Sequence, residues 1–179
     1  MYSDQTLTPK EAVRLCALGT LAVSSQSYSE LAGSIRHFID RIQGPSLEVL
    51  GASVELLKYE GLILTRKSNA NLDVLELTEK GKAELKGLLI ADIRPNDSDL
   101  NKLIEALKFR FMHLLDETER TDQIHLLIER LEIEIARLVD LRKFHEKDRG
   151  YFSEWLHRDI SELKRRMQWL KGFDNFTKS

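Results

Sequence analysis

Cysteine is nearly absent from this 179-residue chain: Cys16 stands alone between Leu15 and Ala17, which excludes an intrachain disulfide and reads as an inert core thiol. Proline is scarce, and Pro9, Pro45 and Pro95 therefore mark the places where backbone regularity changes. No stretch approaches the roughly 18 to 20 apolar residues of a membrane span. The opening residues 1–10 are polar, without the apolar segment of a signal peptide, so a cytoplasmic protein with no membrane partner is expected. An excess of one charge is missing too: 27 Lys and Arg against 29 Asp and Glu give a net charge of -2. The broad positive field that attracts any nucleic acid is absent, and basic groups must act locally. His37, His113, His125, His145 and His157 form no close pair and no HExxH run. With no glycine-rich phosphate loop and no legible nucleophile arrangement, neither a metal, a cofactor nor an enzymatic activity is expected.

What is present is helical periodicity interrupted by one short β-prone stretch. Thr8-Pro9-Lys10-Glu11 is a helix opening, with Thr8 as cap, Pro9 in the first helical position and Glu11 three residues after the cap. Leu15, Leu18 and Ala22 then point one face to a core. Leu31, Ile35, Phe38, Ile39 and Ile42 give a second helix. After Gly44-Pro45, Ser46 can cap a third that carries Leu47, Leu50, Val54 and Leu57 and stops at Gly61. Residues 62–65 (LILT) are β-prone, 66–71 form a polar connection, and 72–78 alternate through Val74 and Leu75, which predicts a hairpin. Three helices and a hairpin describe a winged helix.

The second half reads as a pairing module. Periodicity fails around Pro95, so residues 94–98 are the expected linker. Asp99 can cap a helix bearing Leu100, Leu103, Ile104, Leu107, Phe111, Leu114 and Leu115. Ile124, Ile128, Leu131, Ile135 and Leu138 then follow at spacings of a heptad seam. After Gly150 the pattern returns as Leu156, Ile160, Leu163, Met167 and Leu170. These ten positions are the candidate dimerisation residues. The fold class expected is mainly α with a small β wing, an N-terminal winged helix over 1–93 and a C-terminal helical dimerisation domain over 99–179.

Residues 56–63 (LLKYEGLI) followed by 75–83 (LELTEKGKA) resemble the end of the third helix and the wing exit of PadR-like transcriptional regulators. Residues 155–173 (WLHRDISELKRRMQWLKGF) resemble the terminal helix of that family, especially a virulence-activator-like group with an extended antiparallel helical dimer. The resemblance covers about residues 13–173. It implies a homodimer on double-stranded DNA, with the third helix (45–59) in the major groove through outward positions Ser46, Glu48, Val49 and Ser53. It also implies a wing tip at 66–71 touching the backbone or minor groove. Arg66 and Lys67 are the candidate phosphate contacts, with Ser68 and Asn69 as uncharged partners, and Lys58, Arg36 and Arg41 as further basic candidates. One departure is chemical: the third helix carries Glu48 and Glu55, no arginine and only Lys58 near its end, and glutamate beside phosphate is repelled.

The reading is a sequence-specific DNA-binding transcriptional regulator. Two alternatives use the same architecture: a winged-helix protein-interaction module, and a ligand-responsive sensor with weak intrinsic DNA binding. In the sensor reading Phe111, Tyr151, Phe152, Trp155 and Trp169 line an apolar site for a small-molecule effector, whereas as packed core they need no ligand.

Overall fold

The structure, a computed structural model, describes residues 6–43, 51–93, 98–147 and 149–176. Its elements are α1 (Pro9–Val23), α2 (Tyr28–Gln43), α3 (Gly51–Tyr59), β1 (Ile63–Lys67), β2 (Asp73–Leu77), α4 (Glu79–Ile90), α5 (Ser98–Phe111), a single 3-10 turn (Met112–Leu114), α6 (Glu117–Phe144) and α7 (Phe152–Phe176). The chain divides into two compact units, Met1–Leu115 and Asp116–Ser179.

The first unit is built around α1. Its start is the expected capping box: the Glu11 backbone N–H donates to the Thr8 hydroxyl at 3.3 Å and the Thr8 N–H donates to the Glu11 carboxylate at 2.7 Å, so two orphan donors are satisfied reciprocally. Ala12, Leu15, Cys16, Ala17 and Leu18 are fully buried because α2, α3, α4, α5 and β2 all pack against this helix. A helix covered on nearly every side carries apolar residues nearly all round. Its one buried hydroxyl, on Thr20, donates to the Cys16 carbonyl at 2.7 Å, which avoids the cost of an unmet polar group.

The third helix ends at a glycine for a conformational reason. Gly61 has φ +71, and the turn closes with the Gly61 N–H on the Lys58 carbonyl and the Leu62 N–H on the Leu57 carbonyl, both at 2.9 Å. This left-handed ending favours a residue without Cβ. The chain then enters an antiparallel hairpin in which Ile63 faces Leu77, Thr65 faces Leu75, Arg66 faces Val74 and Lys67 faces Asp73. Pairing thus runs two residues further than the sequence suggested, and Arg66 and Lys67 belong to β1, not to the connection. The loop contracts to 68–72, closed by the Ser68 N–H on the Leu72 carbonyl at 2.8 Å and by Asn71 at φ 58, a conformation asparagine tolerates. Leu75 also donates to the Gln26 carbonyl at 2.7 Å, fastening the hairpin to the segment between α1 and α2.

The TEKG segment after β2 has a mechanical role. The Thr78 hydroxyl accepts from the Gly81 N–H at 3.0 Å, capping α4, and donates to the Gly61 carbonyl at 2.7 Å. The Thr78 N–H donates to the Leu62 carbonyl at 3.0 Å. One side chain therefore starts α4 and ties it to the end of α3. Gly81 lies against the Leu62 carbonyl oxygen, where a Cβ would collide with backbone.

The division of the chain differs from the expected linker at 94–98. Helix α5, assigned by sequence to the second domain, packs on α1 and α2, and Leu103, Ile104, Leu107 and Phe111 are buried. Phe111 occupies space left by Gly19, whose hypothetical Cβ would sit 2.5 Å from the ring. The apolar face of α5 is thus spent inside the first unit, and the units part between Leu115 and Asp116. Residues 94–97, with Pro95, lie outside the described residues. Since α5 starts at Ser98, Asp99 stands in the first turn of the helix instead of capping it. A buried lysine secures this arrangement: Lys108 Nζ donates to the Leu89 carbonyl at 2.5 Å and the Ala91 carbonyl at 2.6 Å, meeting acceptors at the C-terminal end of α4. Burial pushes its pKa down to about 8, although Asp92 pulls the other way.

The second unit is a helical hairpin. α6 opens on a capping box from Asp116 to Glu119, with the Glu119 N–H 2.9 Å from the Asp116 carboxylate. The two helices run antiparallel: Lys171 late in α7 pairs with Glu132 in the middle of α6 at 2.9 Å, while Arg142 near the end of α6 meets His157 near the start of α7 at 3.2 Å. Among the described residues no helix is long and apolar enough to cross a membrane, and no group of three or more His, Cys, Asp or Glu is placed to hold a metal ion.

Candidate nucleic-acid interface

Val54 and Leu57 hold α3 to the core, and Glu55, Leu56 and Tyr59 are exposed. Tyr59, 90% exposed, is a prominent outward residue of this helix that the sequence reading passed over; its place one turn beyond Glu55 was the available signal. Ser46, Glu48 and Val49 lie outside the described residues, as does the side chain of Ser53. Lys58 is half-buried and sits 3.7 Å from Glu55. Arg36 and Arg41 are exposed on α2.

The wing carries the other basic candidates, each with an acid beside it. Arg66 lies 3.3 Å from Glu76 and Lys67 lies 2.8 Å from Asp73. Both cations remain well exposed, at 67% and 62%, and ion pairs this open to water contribute only about 0 to 1 kcal/mol, so each cation can change partner at small cost. Ser68 has a structural task, its hydroxyl accepting from the Leu72 N–H at 3.2 Å. Asn69 is exposed at the turn.

The candidate dimerisation residues divide differently from the sequence expectation. Ile124, Leu131, Ile135, Leu156, Ile160 and Leu170 are buried within a single chain, and Ile128, Leu138, Leu163 and Met167 are half-buried. α6 packs on α7 within the one chain. Among the described residues, the large apolar side chains exposed in this unit are Leu126, Ile133, Leu141, Phe144, Tyr151, Phe152, Trp155 and Trp169.

Of the five aromatic candidates for a ligand site, Phe111 belongs to the first unit and the other four to the second. Phe111 is core in the first unit, with the Arg110 guanidinium 4.9 Å from its ring centroid. Phe152 stacks on Trp155 at 6.0 Å, with His145 edge-on to Phe152 at 5.3 Å, and Tyr151 is exposed beside them. Trp169 packs on Phe173 at 5.7 Å, about 21 Å along α7 from Trp155 at the helical rise. A separate cleft of about 430 Å³ in the first unit is lined by residues including Leu21, Leu85, Leu89, Lys82 and Lys86, and none of the five aromatic candidates is among its lining residues.

Comparison with known proteins gives a family. The model of the AphA-like transcriptional regulators matches residues 2–174. No curated protein matches. Solved structures similar over nearly the full length include PadR of Bacillus subtilis, at 16% identity and a TM-score of 0.40, with 97% of this chain and 99% of that one covered. The same protein in complex with operator DNA gives 18%, 0.37, 92% and 96%. The protein smu.1604c of Streptococcus mutans UA159 gives 19%, 0.38, 93% and 98%. At these identities and scores the likenesses carry no functional argument.

Proposed function

The chain belongs to the AphA-like family of transcriptional regulators, and from that premise we propose that it is a homodimeric, sequence-specific DNA-binding regulator. In this reading α3 and the β1–β2 wing of each copy approach the duplex, and the α6–α7 hairpins pair two chains in an extended antiparallel dimer of the virulence-activator-like kind. The observation that carries the DNA contact is the hairpin with Arg66 and Lys67 exposed on its outer strand, following a helix whose inner face is fixed by Val54 and Leu57. Phosphate contacts of this type position a protein, while base edges and DNA shape supply sequence information. Pairing is supported by the exposed apolar residues of the hairpin: Leu126 and Ile133 stand one heptad apart on α6, and Trp155 and Trp169 two heptads apart on α7.

The test is selection of genomic fragments by the purified protein with competition at graded salt. Enrichment of one related, roughly palindromic set is expected, since protein two-fold symmetry imposes symmetry on the site. Recovery of random fragments alone, or of none at low salt, rejects the proposal. The protein-interaction alternative draws on the acid beside each wing cation, and is favoured if no duplex is bound while a protein partner copurifies. The sensor alternative draws on the exposed aromatic residues Tyr151, Phe152, Trp155 and Trp169 of the second unit. A small molecule retained through purification and detected by native mass spectrometry would revive it.

A further inference from the structure

We infer that Asp73 and Glu76 act as built-in competitors for the wing cations, holding down the protein's affinity for DNA of arbitrary sequence. The inference rests on the DNA-binding reading and names the residues that set its specificity.

The geometry is specific. Lys67 and Asp73 are directly opposed in the hairpin register, and their charged atoms are 2.8 Å apart. Arg66 reaches diagonally to Glu76, two residues beyond its partner Val74, at 3.3 Å. Successive strand residues point to opposite faces, so the ribbon carries one cation on each face, each with its own carboxylate. A ribbon entering a groove meets phosphates along both walls, and one cation per face suits that task. Each cation that reaches a phosphate must leave its acid, and the acid remains nearby as a like charge to the phosphate. Glu76 is the less exposed partner, at 28% against 67% for Arg66, so the arginine is the arm that swings while the glutamate stays. Among the described residues of the third helix, Lys58 too has an acid beside it, Glu55. With the whole chain at net charge -2, non-specific attraction rests on local basic groups, and Arg66 and Lys67 are two of them. The wing therefore binds phosphate when the rest of the interface is already engaged, and releases it readily when it is not. Specificity is a difference of affinities, and weakening the wrong complexes raises it.

The experiment uses the full chain with Asp73→Asn and Glu76→Gln together, substitutions that keep shape and remove charge. Binding is measured by fluorescence anisotropy across a salt series, on a random-sequence duplex and on a fragment enriched by genomic selection. The variant is expected to bind the random duplex on the order of tenfold more tightly at low salt, with the slope of log K against log salt steeper by about 1 to 2 as two phosphates are more fully neutralised. Its preference for the selected fragment should shrink. Adding Arg66→Ala and Lys67→Ala to this variant should abolish the gain. Unchanged affinity and slope in a variant with wild-type circular dichroism and melting overturns the inference while leaving the DNA-binding reading intact. A gain that survives removal of the two cations also overturns it, because the effect is then general charge. Absence of binding to every duplex by both proteins defeats the DNA-binding reading itself, and this inference with it.

Discussion

Gly81 and Gly87 sit in the same helix and answer opposite questions about packing. A Cβ at 81 would collide with the Leu62 carbonyl oxygen, whereas one at 87 meets nothing within 4 Å. Gly81→Ala should therefore cost about 1 to 3 kcal/mol, because backbone has to move, and Gly87→Ala should be stabilising by up to about 1 kcal/mol through helix propensity; urea denaturation of the pair checks both. Lys108 gives a pH dependence of definite sign. Its pKa is about 8 in the fold against 10.5 when free, so between those values the unfolded chain holds the extra proton and unfolding becomes less favourable as pH rises. The burial cost is fully present below pH 8 and relieved toward 10.5. Chemical denaturation from pH 7.5 to 10.5 should show this contribution in the wild type and lose it in Lys108→Met. Cys16 is wholly buried, and burial lifts its thiol to about 11, with Arg110 and Thr20 opposing. It should resist alkylation at pH 8 until the protein unfolds.

At the level of elements, the junction of α3, the wing and α4 turns on Thr78. Thr78→Ala removes the cap on Gly81 and the bond to Gly61, and should cost about 1 to 2 kcal/mol. Hydrogen exchange should show the loss at the start of α4 and in β2, with α7 unaffected; a uniform change along the chain would contradict this account. In the wing, Arg66→Ala with Lys67→Ala should weaken binding to related sites alike and reduce the salt slope by about 2. An intact slope with altered preference among sites would instead assign base or shape readout to the hairpin.

For the whole molecule, light scattering should give twice the 20.7 kDa chain mass. The residues on which to test pairing are those a single chain leaves open. Ile133 is 65% exposed and Trp169 53%, so Ile133→Asp with Trp169→Ser should yield a folded monomer. Leu131→Asp with Ile135→Asp strikes residues already buried in one chain and should unfold the hairpin instead. A concentration-independent monomer in the wild type would remove the dimer from the proposal.

Local chemistry in the sequence was enough to mark many of the elements, though not α4. Thr8, Pro9 and Glu11 announced α1, Gly61 announced the end of α3, and apolar periods of helix and strand distinguished α1, α2 and the hairpin, because caps, turn glycines and periodicity act within a few residues. The Asp116 to Glu119 capping box of α6 was equally legible but was not used. Partnership was decided only by the tertiary structure. A heptad pattern states that a face will be covered and not which surface covers it, so Leu131 and Ile135 could not be assigned to α7 or to a second copy in advance. The same indifference applies to α5: its apolar face is read from sequence, while the vacancy at Gly19 that receives Phe111 exists only once α1 is packed. In the wing, Arg66 and Lys67 were visible as charges. Their opposition to Glu76 and Asp73 depends on strand register, and a shift of one residue would have reversed every face.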